Sequence, residues 1–437
     1  MALSYSVIIR KLESLGVMPD KAPSLDTTQT ALKKIGFFEH FQFWPKYQAD
    51  PSRSIIVAGT NGKGSVCATL EALFLSLGER TGLYTSPHLV ETTERIRLCG
   101  KEVEPDLFCL AYETIVSRVG DLKLTHFEML TLMASWVFCS GEAVPIVDRF
   151  ICEVGLGGLW DATNAIPHGV CIITRLGLDH ENLLGNSLEE IARNKLGVIP
   201  INSKELPSGP LVIHVPFPKE AGALAEKTKL LAGGTWTECV PFQSHYSKGP
   251  VWNLTTPWGE SPICLPGKRG AENTALALTA FSALGFDPAK NLTALSQVKW
   301  PGRMERLTSL IIPCPVYVSG DHNPQGVESL IELLPAYPRS HLHIVVAVGR
   351  DKDLKGVLDP LFKLQNASVY LTRTPFRGRP LEDYHSYLDR AVGAWESLQE
   401  TLEQLKSRVT REDLVLITGS LYLVGEAKRI FSCQFNS

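Results

Sequence analysis

The chain has 437 residues, 44% of them hydrophobic, with 35 glycines and 28 prolines, which describes a folded globular protein with many turns and two or three domains. Lys plus Arg number 43 against 46 for Asp plus Glu, a net charge of −3, so no global positive field is available to hold a nucleic acid backbone or an acidic membrane. The 10 cysteines are scattered through apolar segments without a C-x-x-C pair, a pattern of buried thiols in a reducing compartment and not of a zinc site or disulfide scaffold.

The start, MALSYSVIIRKLESLG, has no positive charge before Arg10 and reads as an amphipathic helix, not a secretory signal. No uncharged stretch reaches the roughly 18 apolar residues that a spanning helix needs. A soluble cytoplasmic protein is the expectation. Ser54 to Ala58 has a buried-strand pattern, a glycine-rich loop interrupts it, and Val66 to Leu77 is apolar at helical spacing before Gly78. Further strands are predicted at 82–84, 150–154 and 170–174, with helices over 107–119 and 127–138. Strand cores that read as continuous apolar runs between helices predict a mainly parallel sheet covered on both faces.

From about Leu211 to Leu265 the pattern loosens into β-rich segments carrying Trp236, Trp252 and Trp258. A helix over 273–284 closes this half, and Trp300-Pro301-Gly302 reads as a hinge. Strands follow at 315–319, 343–348, 368–372 and 414–418, again with helices between. The predicted division is a first domain over 1–299 and a smaller α/β domain over 300–437.

The loop Gly59-Thr60-Asn61-Gly62-Lys63-Gly64-Ser65 carries the strongest chemical signal. Leaving a strand and entering a helix, it lets backbone N–H groups converge on phosphate while the helix N-terminus adds favourable potential. Lys63 would neutralise the β- and γ-phosphates, and the Ser65 hydroxyl would face Mg2+. The loop is shorter than the usual eight-residue phosphate loop, and Gly64 separates lysine from hydroxyl. Glu153 ends a strand just before Gly155-Leu156-Gly157-Gly158, which sets a carboxylate at the C-terminal edge of the sheet, where parallel sheets bind ligands. A hard metal accepts such a group. His180, in Gly177-Leu178-Asp179-His180, reaches the same edge as a metal ligand, with Asp179 either orienting the imidazole or capping the loop.

These residues stand among motifs that run almost end to end: YTSPHL at 84–89 with Glu94-Arg95-Ile96, EVGLGG at 153–158 with DATN at 161–164, Lys195-Leu196-Gly197, WPGRMERL at 300–307, His322-Asn323-Pro324, Asp351-Lys352-Asp353 and GSLYLVGEAKR at 419–429. With them the chain resembles the folylpolyglutamate synthase/dihydrofolate synthase family, within the wider group of Mur-type ATP-dependent amide ligases. The resemblance implies an α/β architecture: a Mur-ligase-like P-loop ATP-binding domain, then a smaller Rossmann-like domain, with a reaction cleft between. It implies activation of a substrate carboxylate by ATP to an acyl phosphate, then attack by L-glutamate. A folate or dihydropteroate is the implied acceptor, ATP and Mg2+ the cofactors, and the monomer the expected state.

Carried over by resemblance, Lys63 contacts phosphate within the nucleotide loop 59–65, and Ser65, Ser86, Glu153 and His180 form the metal set. Lys195 matches a lysine that is carbamylated and helps position metal or substrate. Asn273 matches an adenine-side residue, and Arg303 an arginine that reaches from the interdomain segment to the phosphates. His322 and Asn323 are placed to receive glutamate. Alternatives from other classes are a Mur-type ligase with a different carboxylate acceptor and a non-catalytic nucleotide-binding protein. The chain also departs from the family pattern. Ser319-Gly320-Asp321 stands where Asp-Gly-Ala is usual, Gly267-Lys268-Arg269-Gly270-Ala271-Glu272-Asn273 keeps the asparagine of G-x-H-Q-x-x-N but loses its His-Gln pair, Leu159-Trp160 replaces Arg-Leu, and Ser24-Leu25-Asp26-Thr27 replaces a Gly-Leu-x-Arg element.

Overall fold

The computed structural model describes residues 3–16, 24–246 and 251–433. Its central strand, Ser54–Ala58, is buried at every position. Burial of the Ile55, Ile56 and Val57 side chains there contributes roughly 1.5–3 kcal/mol each. Around it lies an eight-stranded sheet in the order Lys101–Glu102, Ile96–Leu98, Thr81–Tyr84, Arg149–Glu153, Ser54–Ala58, Val170–Ile173, Leu211–His214, Thr235–Glu238. The first three strands pair antiparallel and the rest parallel. The register Val57↔Glu153 and Val57↔Ile172 brings three strand ends to one edge.

Helix Lys63–Ser76 leaves that edge with Gly64 to Leu70 buried along its first two turns, between the sheet and helix Gly267–Ala283. The latter helix starts six residues before the predicted Asn273. Its first two turns carry Lys268, Arg269 and Glu272, so polarity hides the helical period in the sequence. The β-rich stretch resolves into an antiparallel three-stranded sheet, Gly259–Ile263, Trp252–Thr256 and Gln243–Tyr246. The amphipathic start is helix Tyr5–Glu13, with Ile8 and Leu12 buried.

The second half forms a six-stranded sheet in the order Glu305–Leu307, Val316–Ser319, Leu414–Thr418, Leu342–Val346, Ala367–Thr372, Gly393–Trp395, parallel except for its first pair. The carboxyl ends of its strands turn toward the glycine loop of the first sheet. Helix Leu421–Cys433 packs against the 85–95 segment, where a Cβ on Gly425 would stand 1.9 Å from the Leu89 carbonyl oxygen. No helix among the described residues is long and apolar enough to cross a membrane.

Candidate active site

Gly62 caps helix Lys63–Ser76 at φ 93°, and a Cβ there would stand 2.2 Å from the Asn273 Oδ1. At Gly64 a Cβ would meet the Trp300 ring at 2.1 Å. The sequence needs glycine at both points so that the loop can pass between helix Gly267–Ala283 and the segment that carries Trp300. The Thr60 Oγ1 donates to the Gly177 carbonyl at 2.9 Å, and the Thr174 hydroxyl donates to the Asn61 carbonyl at 2.8 Å. The loop is thereby anchored to the segment that carries His180.

Lys63 folds back on its own loop, donating to the Gly59 and Thr60 carbonyls at 3.3 Å each. Beneath it, the buried Lys195 donates to the Gly59 carbonyl at 2.9 Å. Burial, with the positive charges of Lys63 and Lys352, pulls the Lys195 ammonium down to about 7, against the opposing carboxylates of Asp179 and Asp161. Glu153 is buried, and its Oε2 accepts the Ser86 N–H at 3.0 Å. Desolvation pushes its carboxyl above the usual range, against the pull of Lys63, the Ser86 N–H, Arg303 and the Gly64 N–H. A carboxylate in that setting is one that a cation would stabilise.

Across the cleft, Arg303 lies 3.8 Å from the Asp321 carboxylate (Nη1 to Oδ1), and the Ser319 hydroxyl donates to the other Asp321 oxygen at 2.6 Å. The acid displaced to position 321 therefore returns to the strand end through Ser319. Arg303 and Asp321 share one cavity with Asn61, Gly62, Ser65 and Asn273. Arg175 pairs with Glu272 at its wall, and Arg269 lines it too. The sequence reading gave no role to these two arginines. The signal for Arg269 was its place where the His of the usual His-Gln pair stands, and Arg175 had none.

Three side-chain amides clasp the halves together. The Asn61 Nδ2 donates to the Gln325 Oε1 at 2.8 Å, and the Asn323 Nδ2 donates to the Asn61 Oδ1 at 3.1 Å. Asn323 also caps helix Pro324–Leu333, its Oδ1 accepting from the Gly326 N–H at 2.8 Å. Its polar atoms are therefore engaged. His322 is held by the Gly320 carbonyl at 2.8 Å from its Nδ1, and burial lowers its ring to about 4.

His180 adopts φ 51° and lies in a charged group that joins both halves. Lys352 donates to the Asp179 Oδ1 at 2.7 Å and stands 3.2 Å from the His180 Nε2. Burial and the Lys352 ammonium lower the His180 ring to about 4. Although burial alone would raise the Asp179 carboxyl, Lys352, His180 and His322 hold it well below the usual range. Asp179 is thus an ion-pair partner of a lysine from the six-stranded-sheet half of the chain. Lys352 is the residue without a prior role, and its signal was the Asp-Lys-Asp motif. No group of three or more His, Cys, Asp or Glu side chains among the described residues is spaced to hold a metal ion. The candidate donors around Glu153 are instead the hydroxyls of Ser65 and Ser86.

A phosphate loop and a buried carboxylate on one sheet edge, facing an arginine just ahead of the first strand of a second sheet, are the arrangement of an ATP-dependent amide ligase of the Mur type, the class to which the relatives belong. Residues 302–421 match the family model described as Mur ligase, glutamate ligase domain. A dihydrofolate synthase/folylpolyglutamate synthase of Buchnera aphidicola subsp. Baizongia pistaciae is 30% identical over 418 residues, covering 94% of this chain and 91% of that protein. The Escherichia coli FolC structure in complex with DHPP and ADP superposes with TM-score 0.82 at 27% identity, covering 99% of each chain. A bifunctional folylpolyglutamate synthase/dihydrofolate synthase with Mn, AMPPNP and L-glutamate bound gives TM-score 0.80 at 25% identity, covering 98% of each chain. The chain belongs to the dihydrofolate synthase/folylpolyglutamate synthase family.

Proposed function

We propose that this enzyme uses ATP to phosphorylate the carboxylate of a folate, of dihydropteroate, or of both, and joins the product to the amino group of L-glutamate. The carboxylate oxygen attacks the γ-phosphorus and ADP leaves. The glutamate nitrogen then attacks the acyl carbon, and phosphate and a proton leave. The observation that carries this reading is the convergence of Lys63, Ser65, Ser86 and Glu153 on one sheet edge opposite Arg303. The ligands of its relatives, ADP with DHPP in one and AMPPNP, Mn and L-glutamate in another, support it.

Ser65, Ser86 and Glu153 would hold a divalent cation, with His180 serving a second, and hard oxygen donors beside a desolvated carboxylate suit Mg2+. When bound, the cation offsets charge on the transferred phosphoryl oxygens. Lys63 exchanges the Gly59 and Thr60 carbonyls for phosphate, and Arg303 exchanges Asp321 for phosphate oxygens that its guanidinium can chelate. Asn273, behind Gly62, serves the adenine side. His322 lines the amino-acid side, and closure over the cleft protects the acyl phosphate from water.

Lys195 fits carbamylation. An amine brought to about 7 is uncharged in about half of the molecules at neutral pH, and its nitrogen can add to CO2 with loss of a proton, giving an anion in a site crowded with cations. The division we favour gives residues 1–299 the nucleotide and residues 300–437 the amino acid, supported by two sheets lying wholly before and one wholly after residue 299. A monomer working in the cytoplasm completes the reading, and 10 free cysteines support a reducing compartment.

The step that defines the mechanism is tested without glutamate. Borohydride trapping of enzyme, Mg-ATP and folate acceptor should yield the alcohol of the activated carboxylate, and Lys63→Ala should remove it. An ATP-independent signal, or none, contradicts the mechanism.

A further inference from the structure

The cavity that joins the glycine loop to the second half of the chain runs on past Asn273 between two helices, Gly267–Ala283 and Pro324–Leu333. We propose that Arg269 reads the nucleotide base at the far end of this cavity and admits 6-oxopurine nucleoside triphosphates, GTP and ITP, as phosphoryl donors beside ATP. The inference rests on the ligase reading above, in which this cavity takes the nucleotide.

The order of residues along the cavity sets where a base lies. Ser65 and Arg303 line the end at the phosphate loop, and Gly62 passes so close to Asn273 that a Cβ on it would stand 2.2 Å from the amide oxygen. Helices Lys63–Ser76 and Gly267–Ala283 then run side by side, with the Phe74 and Phe281 rings 5.6 Å apart. The turn before Asn273 therefore projects past the loop. Arg269 sits on that turn, four residues before Asn273 and about 6 Å farther along the helix. On the facing helix Leu330 and Leu333 line the same end, together with Leu265 and Pro266. A Cβ on Gly267 would stand 2.2 Å from the Leu333 side chain, so the helices meet there and close the slot. Its apolar walls suit the flat faces of a purine.

Arg269 is half-buried in this slot without a hydrogen-bond or ion-pair partner among the described residues. Burial, then the Arg175 guanidinium, pulls its pKa below the ordinary value, against Glu272, Glu332 and Glu328. The buried carboxylate beside it is already engaged: Glu272 accepts the Arg175 Nε on Oε2 at 3.0 Å and the Arg175 Nη2 on Oε1. Glu328 and Glu332 are exposed on the facing helix. A desolvated guanidinium with its donors unmet is one that acceptors on a ligand would stabilise.

A guanidinium only donates, so it pairs with a base edge that only accepts. Guanine and hypoxanthine present O6 and N7 side by side, the pair of acceptors that an arginine meets bidentately. Adenine presents an amino group beside N7 and pairs with an amide instead. The first turn of helix Gly267–Ala283 offers adenine no amide. Gly270 stands where the family pattern carries glutamine, and a Cβ there would meet the Leu265 carbonyl oxygen at 2.2 Å, so no side chain fits. Asn273 supplies an amide one turn later, and it serves either purine by turning its oxygen or its nitrogen to the ring, which keeps ATP a donor. With GTP the chemical step is the same: the acceptor's carboxylate oxygen attacks the γ-phosphorus and GDP leaves.

The test measures glutamate-dependent product formation with ATP, GTP and ITP in wild type, Arg269→Ala, Arg269→His and Arg269→Lys, alongside calorimetric binding of ADP, GDP and IDP. Wild type is expected to use GTP and ITP with kcat/KM within about tenfold of that for ATP. The GTP-to-ATP and ITP-to-ATP ratios should each fall at least about tenfold in Arg269→Ala and Arg269→His, and by less in Arg269→Lys, whose ammonium keeps a donor. Wild-type kcat/KM values for GTP and ITP below that range overturn the proposal. Equal losses for all three donors do so too, because they set Arg269 on the ribose or the phosphates that the donors share. So does a ratio that changes for GTP alone, which moves the discrimination to the 2-amino group. If Arg269→Ala fails to fold, Arg269→His and Arg269→Lys decide by the same criteria. Wild-type enzyme that forms no glutamate adduct with ATP on any folate acceptor defeats the ligase reading, a distinct failure. The diphosphate affinities then decide the base preference: GDP and IDP within about tenfold of ADP uphold it, and weaker binding overturns it.

Discussion

At the scale of single residues, Glu153 and Lys195 are charged groups buried at the expense of stability. The Glu153 carboxyl is raised by desolvation, so its ionised form at neutral pH weighs against folding. Glu153→Gln should therefore leave Tm at or above wild type while turnover falls by about 100-fold or more, the loss typical of a transition-state charge partner. Near-normal kcat/KM for ATP at limiting Mg2+ would refute that role. Lys195 carries the opposite charge. Folded, its amine loses its proton at about 7, against 10.5 in the open chain, so the unfolded state binds more protons between those values and the penalty shrinks as pH rises through that window. Lys195→Met should raise Tm at pH 7 by about 2 °C or more, with the gain fading toward pH 10, and it should abolish turnover. In the wild type, initial rates should rise as pH passes about 7, as the amine becomes free to take up CO2. An unchanged Tm difference at both pH values would contradict the account.

At the scale of elements, helix Pro324–Leu333 shows how one side chain serves local and global order. Asn323 satisfies an orphan N–H of the first turn and also binds the Asn61 amide from the other half of the chain. Asn323→Ala should cost about 1–2 kcal/mol in chemical denaturation and raise KM for ATP. Asn323→Asp should keep the cap and most of the stability but lose the donor to Asn61, separating the two duties. Equal loss of stability in both variants would contradict this division. Local elements of this kind were legible in advance: the 59–65 loop, the strands predicted at 54–58 and 170–174, the latter one residue longer than observed, and the helix behind them follow from glycine placement and apolar period. The start of helix Gly267–Ala283 was not, because its first turns face a polar cavity and carry charged side chains where the period would show.

At the scale of the whole molecule, continuous apolar runs announced the mainly parallel first sheet, because strands covered on both faces have no polar side, and strands alternating with helices announced a second, smaller α/β unit. What lies between the sheets was harder to read. Asn61 and Asn323 are 262 residues apart, and Asp179 and Lys352 173 apart, so no periodicity links them. Only the motifs Gly-Leu-Asp-His and Asp-Lys-Asp marked the second pair, without stating that they meet. Such contacts join the segments of the two large sheets around one site. The central claim is that this site joins L-glutamate to a folate-class carboxylate. It is tested most directly by incubating the purified protein with Mg-ATP and L-glutamate and supplying dihydropteroate, tetrahydrofolate or a UDP-linked muramoyl peptide in separate reactions. ADP and product mass are followed in each. The account predicts a glutamate adduct, with ADP in equal amount, from dihydropteroate, tetrahydrofolate or both and none from the muramoyl compound; product from the muramoyl acceptor alone would contradict it.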